Sequence, residues 1–236
     1  MFITRYFRWM RKNTIEQHQR NMLVLHEVNS KHKLLDVGCD DGAWTMQVAD
    51  KIGTKKVYGM DVVPGPLKEA RKNGVDAKVG NLSVKFPYPD KSFDVIHGNM
   101  LIEHLSRTEF FVQEVNRVLK PGGYCVIGTD NLASWHNIFS LIMGWMPMSN
   151  SNFSQKKKAI GNPLSPDAGE DMDKPESWQH IRVLTTIAIK DIFEINGFKM
   201  EKLLASGYYP LPNFFSKLDK RHSAFMQVKF RKVGKY

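Results

Sequence analysis

Three acids and two glycines crowd into residues 34–42, where Leu34-Leu35-Asp36-Val37 runs into Gly38-Cys39-Asp40-Asp41-Gly42. An apolar strand ending on glycines lets backbone and ligand approach closely, because glycine has no side chain in the way. A further acid, Asp61, follows Gly42 by 19 residues, after the apolar run Val57-Tyr58-Gly59-Met60 and before Val62. A carboxylate there can take both hydroxyls of a ribose. Together these residues describe a pocket for a nucleoside-containing cofactor.

Charge separates the candidate cofactors. The dinucleotide fingerprint needs G-x-G-x-x-G, and the register here gives Gly38, Asp40 and Ala43. A pyrophosphate would also meet Asp36, Asp40 and Asp41, which repel a dianion. S-adenosylmethionine carries a sulfonium and an ammonium but no phosphate, so an acidic turn suits it.

Four stretches resemble the class I S-adenosylmethionine-dependent methyltransferases, and the type 11 group most. They are residues 34–42, residues 57–61, Phe86-Pro87-Tyr88-Pro89-Asp90-Lys91-Ser92-Phe93-Asp94-Val95-Ile96, and residues 110–123, which end in Lys120-Pro121-Gly122-Gly123. The likeness covers roughly residues 30 to 130 well and the remainder loosely. It implies a Rossmann-like α/β fold, with a seven-stranded, mostly parallel sheet, helices on both faces and an antiparallel last strand. It also implies that Asp36 holds the methionine part of the cofactor, that Gly38, Cys39, Asp40 and Gly42 form the turn, and that Asp61 and Val62 meet the ribose. Asn81 then stands where the family often has Asp against the adenine amine, and its carbonyl oxygen can accept that hydrogen bond. Leu82 would pack on the adenine ring. Asn99 lines the cofactor mouth or sits in a surface loop. Asp40 departs from the family, which usually has glycine there, although Asp tolerates unusual backbone angles better than most residues.

Methyl transfer is an in-line displacement at an activated sulfonium, so the protein mainly positions the nucleophile and excludes water. Candidate general bases are Glu103, His104, His136 and His180, with a neutral histidine suited to the task. His104 lies in Ile102-Glu103-His104-Leu105, a stretch whose histidine is more often structural in the family. His180, in Trp178-Gln179-His180-Ile181-Arg182, is expected to face the pocket. No metal site is expected, because Glu103 and His104 are adjacent and no third ligand is evident. After Gly98 the chain reads Asn99-Met100-Leu101, without the Asn/Asp-Pro-Pro-aromatic motif of amino-group methylation, and no Pro-Cys nucleophile occurs. The expected acceptor is an oxygen on a small molecule, glycan or lipid-linked intermediate. A non-catalytic cofactor-binding scaffold and an RNA methyltransferase are the alternatives, although no recognised RNA-binding module is appended.

The elements that must position these groups alternate between strand and helix. Strands are expected at residues 33–37, 57–60, 77–79, 93–98 and 124–129, and helices at 43–50, 66–73 and 107–119. Phe111, Val112, Val115, Val118 and Leu119 give the last of these one apolar side. This alternation implies a parallel sheet with the ligand at the carboxyl ends of its strands. Residues 131–180 form a substrate-facing insertion, apolar up to residue 147 and loop-like over 149–174. A helix at 185–196 and strands at 198–205 and 223–232 close a domain spanning residues 31–236.

Residues 1–30 read as a helical cap. At 100° per residue, Phe2, Ile3, Tyr6, Phe7, Trp9 and Met10 share one half of a helix, and Arg5, Arg8, Arg11 and Lys12 share the other. Such a helix either packs on the domain as a cofactor lid or lies in an anionic membrane surface. The net charge of +10 is uneven, with seven Lys/Arg against two acids in residues 1–33, and seven against Asp219 in residues 217–236. Two cysteines and no C-x-x-C fit a reducing compartment. The expected location is the cytoplasm, with peripheral contact at the inner membrane surface as the extension of that reading.

Overall fold

The computed structural model describes residues 2–154, 156–165 and 178–234, with residues 2–8 given through their backbone alone. Seven strands form one sheet: β1 (Lys33–Val37), β2 (Lys56–Asp61), β3 (Asp76–Val79), β4 (Phe93–Asn99), β5 (Leu119–Asp130), β6 (Phe198–Ser206) and β7 (Phe225–Lys232). Their order is β3-β2-β1-β4-β5-β7-β6. The first five run parallel, and β7 runs antiparallel to both of its neighbours, β5 and β6. The order reverses between β1 and β4, and a crevice opens at the carboxyl ends of strands where that happens.

Strand side chains alternate between two cores, as the period of two requires. Leu35, Ile96 and Ile127 face one core with Phe111 and Val115 of α4 (Thr108–Val118) and Phe193 of α6 (Thr186–Glu194). Leu34, Val95 and Val126 face the other, with Met22 of α1 (Phe2–Val24), Val48 and Ile52 of α2 (Ala43–Ile52), and Ala70 of α3 (Leu67–Lys72). Helix α5 (Trp135–Ile142) and the four-residue α7 (Phe215–Leu218) lie outside these layers.

The strands and helices read from the sequence are present, with shifts at their ends. The largest concerns Pro121-Gly122-Gly123: α4 ends at Val118, and β5 begins at Leu119 and runs through those residues. Within the expected loop, Met148–Asn150 forms a short 3-10 turn, and residues 166–177 lie outside the described residues.

From Met10 onward the first helix packs on the domain. Met10, Thr14, His18, Met22 and Leu25 are buried at three- and four-residue spacing, one face of a helix. Asn21 fixes that face by donating to Ala205 O at 3.0 Å and Gln227 Oε1 at 2.8 Å, at the β6–β7 edge. The side chains of Phe2, Ile3, Tyr6 and Phe7 lie outside the described residues.

Candidate functional site

The turn after β1 is tight, and much of its hydrogen bonding is internal. Met60 O, at the end of the neighbouring β2, accepts from both Gly38 N (2.8 Å) and Cys39 N (3.2 Å). Gly38 and Gly42 take left-handed angles (φ 80 and 77). A Cβ on Gly42 would stand 3.0 Å from Ala70 Cα and from Val75 Cγ2, so glycine is needed there for space as well as angle. Asp40 adopts φ 47 at the position where a glycine was expected, so the turn keeps its left-handed step.

Asp61 closes this turn. Its Oδ2 accepts from Asp40 N at 3.1 Å, and its Oδ1 accepts from Val63 N at 2.9 Å. Each carboxylate oxygen keeps a second lone pair, and the group is only half-buried. Val62 beside it is exposed. Asp36 lies deeper, buried at the end of β1, and accepts from Thr45 Oγ1 at 2.5 Å. Burial, opposed by that bond and reinforced by Asp61, pushes its carboxyl up to about 7.

Cys39 turns its thiol inward, among Leu34, Val48 and Val75. Burial and the neighbouring acids push the thiol up to about 12, so it stays protonated and unreactive. Gly59 makes room for it, since a Cβ there would stand 2.7 Å from Cys39 Sγ. Asn81 is exposed and accepts from Ser83 N at 2.8 Å, leaving one carbonyl lone pair. Leu82 is buried in the core with Met60 and Phe86.

Asn99 is neither fully buried nor part of a free loop. Its Oδ1 lies 2.6 Å from His18 Nε2, and His18 Nδ1 lies 2.8 Å from Gln227 Nε2. An amide nitrogen only donates, so His18 accepts at Nδ1 and donates from Nε2 to Asn99. Burial lowers the His18 pKa, which keeps the ring neutral.

The two candidate bases meet beyond β4 and β5. His104 and His180 stack edge to face, with ring centroids 4.8 Å apart. His104 Nδ1 lies 2.9 Å from Gln179 O, and His180 Nδ1 lies 2.6 Å from Ser149 O. The insertion is drawn onto Glu103 O, which accepts from Ile181 N (2.8 Å) and Arg182 N (3.0 Å). Burial lowers the His180 pKa against the opposing pull of Glu103. Burial, and Glu103 after it, push the carboxyl of nearby Asp130 well above its usual range. His136 stands apart, 3.3 Å from Ser134 Oγ, and burial lowers its pKa to about 4.

Residues 35–127 match the family described as "Methyltransferase domain". A demethylmenaquinone methyltransferase of Listeria monocytogenes is 26% identical over 151 residues, which cover 59% of this chain and 64% of that protein. A Mycolicibacterium smegmatis protein described as a probable S-adenosylmethionine-dependent methyltransferase is 37% identical over 100 residues, 42% of this chain and 38% of that one. In structure, the chain is similar to a Haloferax volcanii methyltransferase solved with its activator (TM-score 0.64, 13% identity, 94% and 93% of the two chains covered). Residues 35–127 thus carry the likeness to a methyltransferase domain, on a sheet with the Rossmann-like order of that fold.

The cofactor of such a domain is S-adenosylmethionine. The chain also carries polar residues that the sequence does not advertise. Thr45 comes to Asp36 because the first turn of α2 folds back over the end of β1. His18 reaches Asn99 across 81 positions of chain. Trp44 Nε1 donates to His97 Nε2 at 2.9 Å, and His97 Nδ1 lies 3.1 Å from His26 Nε2, a polar chain buried under the sheet. Only helical spacing within residues 2–24 could have pointed to His18.

Proposed function

We propose that the chain transfers the methyl group of S-adenosylmethionine to an oxygen of an apolar, lipid-linked acceptor met at an anionic membrane surface. The observation that carries this reading is the apolar face of α5, which leads away from the end of β5. Leu141 and Ile142 are 59% and 76% exposed, and Trp135, Phe139 and Met143 are exposed with them. An apolar surface of this kind marks a contact site. Trp135 Nε1 donates to Tyr208 OH at 2.7 Å, which brings α5 beside the segment bearing the exposed Phe214, Phe215 and Leu218. Lys217, Lys220 and Arg221 stand in that same segment and suit an anionic surface. The exposed Trp9 belongs to α1, which reaches the segment through the bond from Asn213 Nδ2 to Asn13 O (3.3 Å).

S-adenosylmethionine would supply the methyl group and leave as S-adenosylhomocysteine, and the acceptor hydroxyl would pass its proton to a neutral imidazole of the His104–His180 pair or to water. Asp36 and Asp61 hold the cofactor at the carboxyl ends of β1 and β2. The cluster of Glu103, His104 and His180, which follows the carboxyl end of β4 on the same edge of the sheet, faces the acceptor. Among similar proteins, six from Listeria are named demethylmenaquinone methyltransferase, which supports an apolar acceptor. Among the described residues no helix is long and apolar enough to cross a membrane, so contact with lipid would be peripheral.

The test is formation of S-adenosylhomocysteine when the chain is given S-adenosylmethionine with a membrane-lipid extract or with an aqueous small-molecule and RNA extract. Turnover with the lipid extract supports the reading. Turnover with the aqueous fraction alone moves the acceptor to another class. Cofactor binding with no turnover in either marks a cofactor-binding scaffold.

A further inference from the structure

We infer that Glu103, His104 and His180 form a binding site for a divalent cation of the first transition row, with zinc the best match to the donor set. Glu103 is fully buried, at 0% exposure, in the 3-10 turn that follows β4. Its Oε2 accepts from Thr129 Oγ1 at 2.7 Å. Its Oε1 is buried and has no hydrogen-bond partner among the described residues. A carboxylate oxygen left this way is costly unless a cation or a donor meets it.

The neighbouring imidazoles do not supply that donor. A carbonyl only accepts, so the contacts of His104 Nδ1 with Gln179 O and of His180 Nδ1 with Ser149 O place each ring proton on Nδ1. Each Nε2 then keeps its lone pair. His104 Nε2 stands 4.0 Å from Glu103 Oε1, one acceptor facing another. Ligand atoms from the three residues all lie within 4.8 Å of one another. That is a little wider than a coordination sphere with bonds of roughly 2.0–2.2 Å, so an ion would draw them inward.

Histidine ligands are typically fixed by such an Nδ1–H bond to a carbonyl or carboxylate. Asp130 adds a carboxylate oxygen 3.4 Å from His180 Nδ1. Two imidazole nitrogens with one carboxylate oxygen favour zinc-class ions over magnesium or calcium, which prefer oxygen donors. No other trio of His, Cys, Asp or Glu is so placed among the described residues. Three protein ligands leave coordination positions open. On the function proposed above, on which this role rests, an open position takes the acceptor oxygen, and the histidines act as ligands instead of free bases.

The experiment is equilibrium dialysis of the full chain against zinc chloride, with bound metal read by mass spectrometry. Cobalt(II) serves as a spectroscopic probe, and titration with S-adenosylhomocysteine reports on the fold. A single equivalent of zinc and visible cobalt bands are expected. Glu103→Gln keeps the shape and the Thr129 contact, and His180→Gln leaves β4 and β5 untouched. Each should weaken zinc binding about tenfold or more while S-adenosylhomocysteine binding holds. Binding far below one equivalent, or equal binding in both variants and the parent, overturns the site. If cofactor turns over and zinc does not bind, the site falls and the methyl transfer stands. If zinc binds as expected and no acceptor is ever methylated, the site stands and its role at the acceptor falls.

Discussion

His18, in the first helix, donates a 2.6 Å hydrogen bond to Asn99 at the carboxyl end of β4. That bond locks the N-terminal helix over the strand ends, with Gln227 of β7 completing the chain on the other ring nitrogen. Replacing His18 by Leu leaves the half-buried Asn99 oxygen without this donor, while the Gln227 amide keeps only its contact with Ser206 Oγ at 3.1 Å. The expected loss of stability is about 1–3 kcal/mol, read from urea unfolding.

Buried histidines give stability a defined pH dependence. Burial holds His26 at about 3, with Lys229 and Lys51 adding to the effect, and lowers its partner His97 as well. The unfolded chain therefore binds more protons than the folded one below about pH 6.5. Stability from these groups is full above that pH and is lost as pH falls toward 3. Unfolding free energy measured from pH 7 to 4 should drop less steeply in His26→Gln than in the parent chain.

Asp61→Ala should weaken S-adenosylmethionine binding by roughly 1–3 kcal/mol, the scale of one or two charge-assisted hydrogen bonds. The loss has two sources, the ribose contacts and the Asp40 amide that Asp61 holds at 3.1 Å. Asp61→Asn keeps an acceptor for that amide and should lose less. Calorimetry separates the two variants, and equal affinity in all three chains would remove Asp61 from the site.

Asp36 carries the opposite pH signature. Its carboxyl stands at about 7 in the folded protein, against an ordinary value of 3.8. Folding therefore favours the protonated form, and the stability this gives is lost as pH rises from about 4 through 7. A cationic ligand favours the ionised form instead. Cofactor affinity should thus rise between pH 6 and 8, and Asp36→Asn should flatten that rise, as read by calorimetry at each pH.

Local signals made most of the fold legible in the sequence. Leu34 and Leu35, neighbours in β1, enter opposite cores, as strand alternation demands, and Gly38 and Gly42 mark the turn by angle and space. What stayed hidden depends on tertiary contact. The amides of Gly38 and Cys39 go to Met60 O, which only the packing of β2 beside β1 reveals. His180 was picked out, yet its meeting with Glu103 and His104 follows from the insertion bonding back to Glu103 O, so the sequence offered no third ligand. Pro121-Gly122-Gly123 lies past the end of α4 at Val118, and only the non-local pairing of Phe93 with Leu119 and of Val95 with Tyr124 makes it an irregularity inside β5.

The apolar face of α5 gives a separate test. Leu141→Glu with Ile142→Glu alters two exposed side chains and should leave unfolding free energy within about 0.5 kcal/mol. Flotation with anionic phospholipid vesicles should fall several-fold in this variant. Binding by the parent chain should weaken as salt rises, because surface charges are screened. Deleting residues 1–12 should also reduce vesicle binding while cofactor affinity is nearly kept. Loss of cofactor binding in that deletion, with no vesicle binding by the parent, would instead make the helix a cofactor lid.

The most direct measurement is calorimetric titration of the chain with S-adenosylmethionine, S-adenosylhomocysteine and NAD. One molecule of either sulfur-containing ligand should bind per chain, and NAD should not, because a pyrophosphate would face Asp36, Asp40 and Asp41. Binding of NAD with no response to the other two would contradict the account.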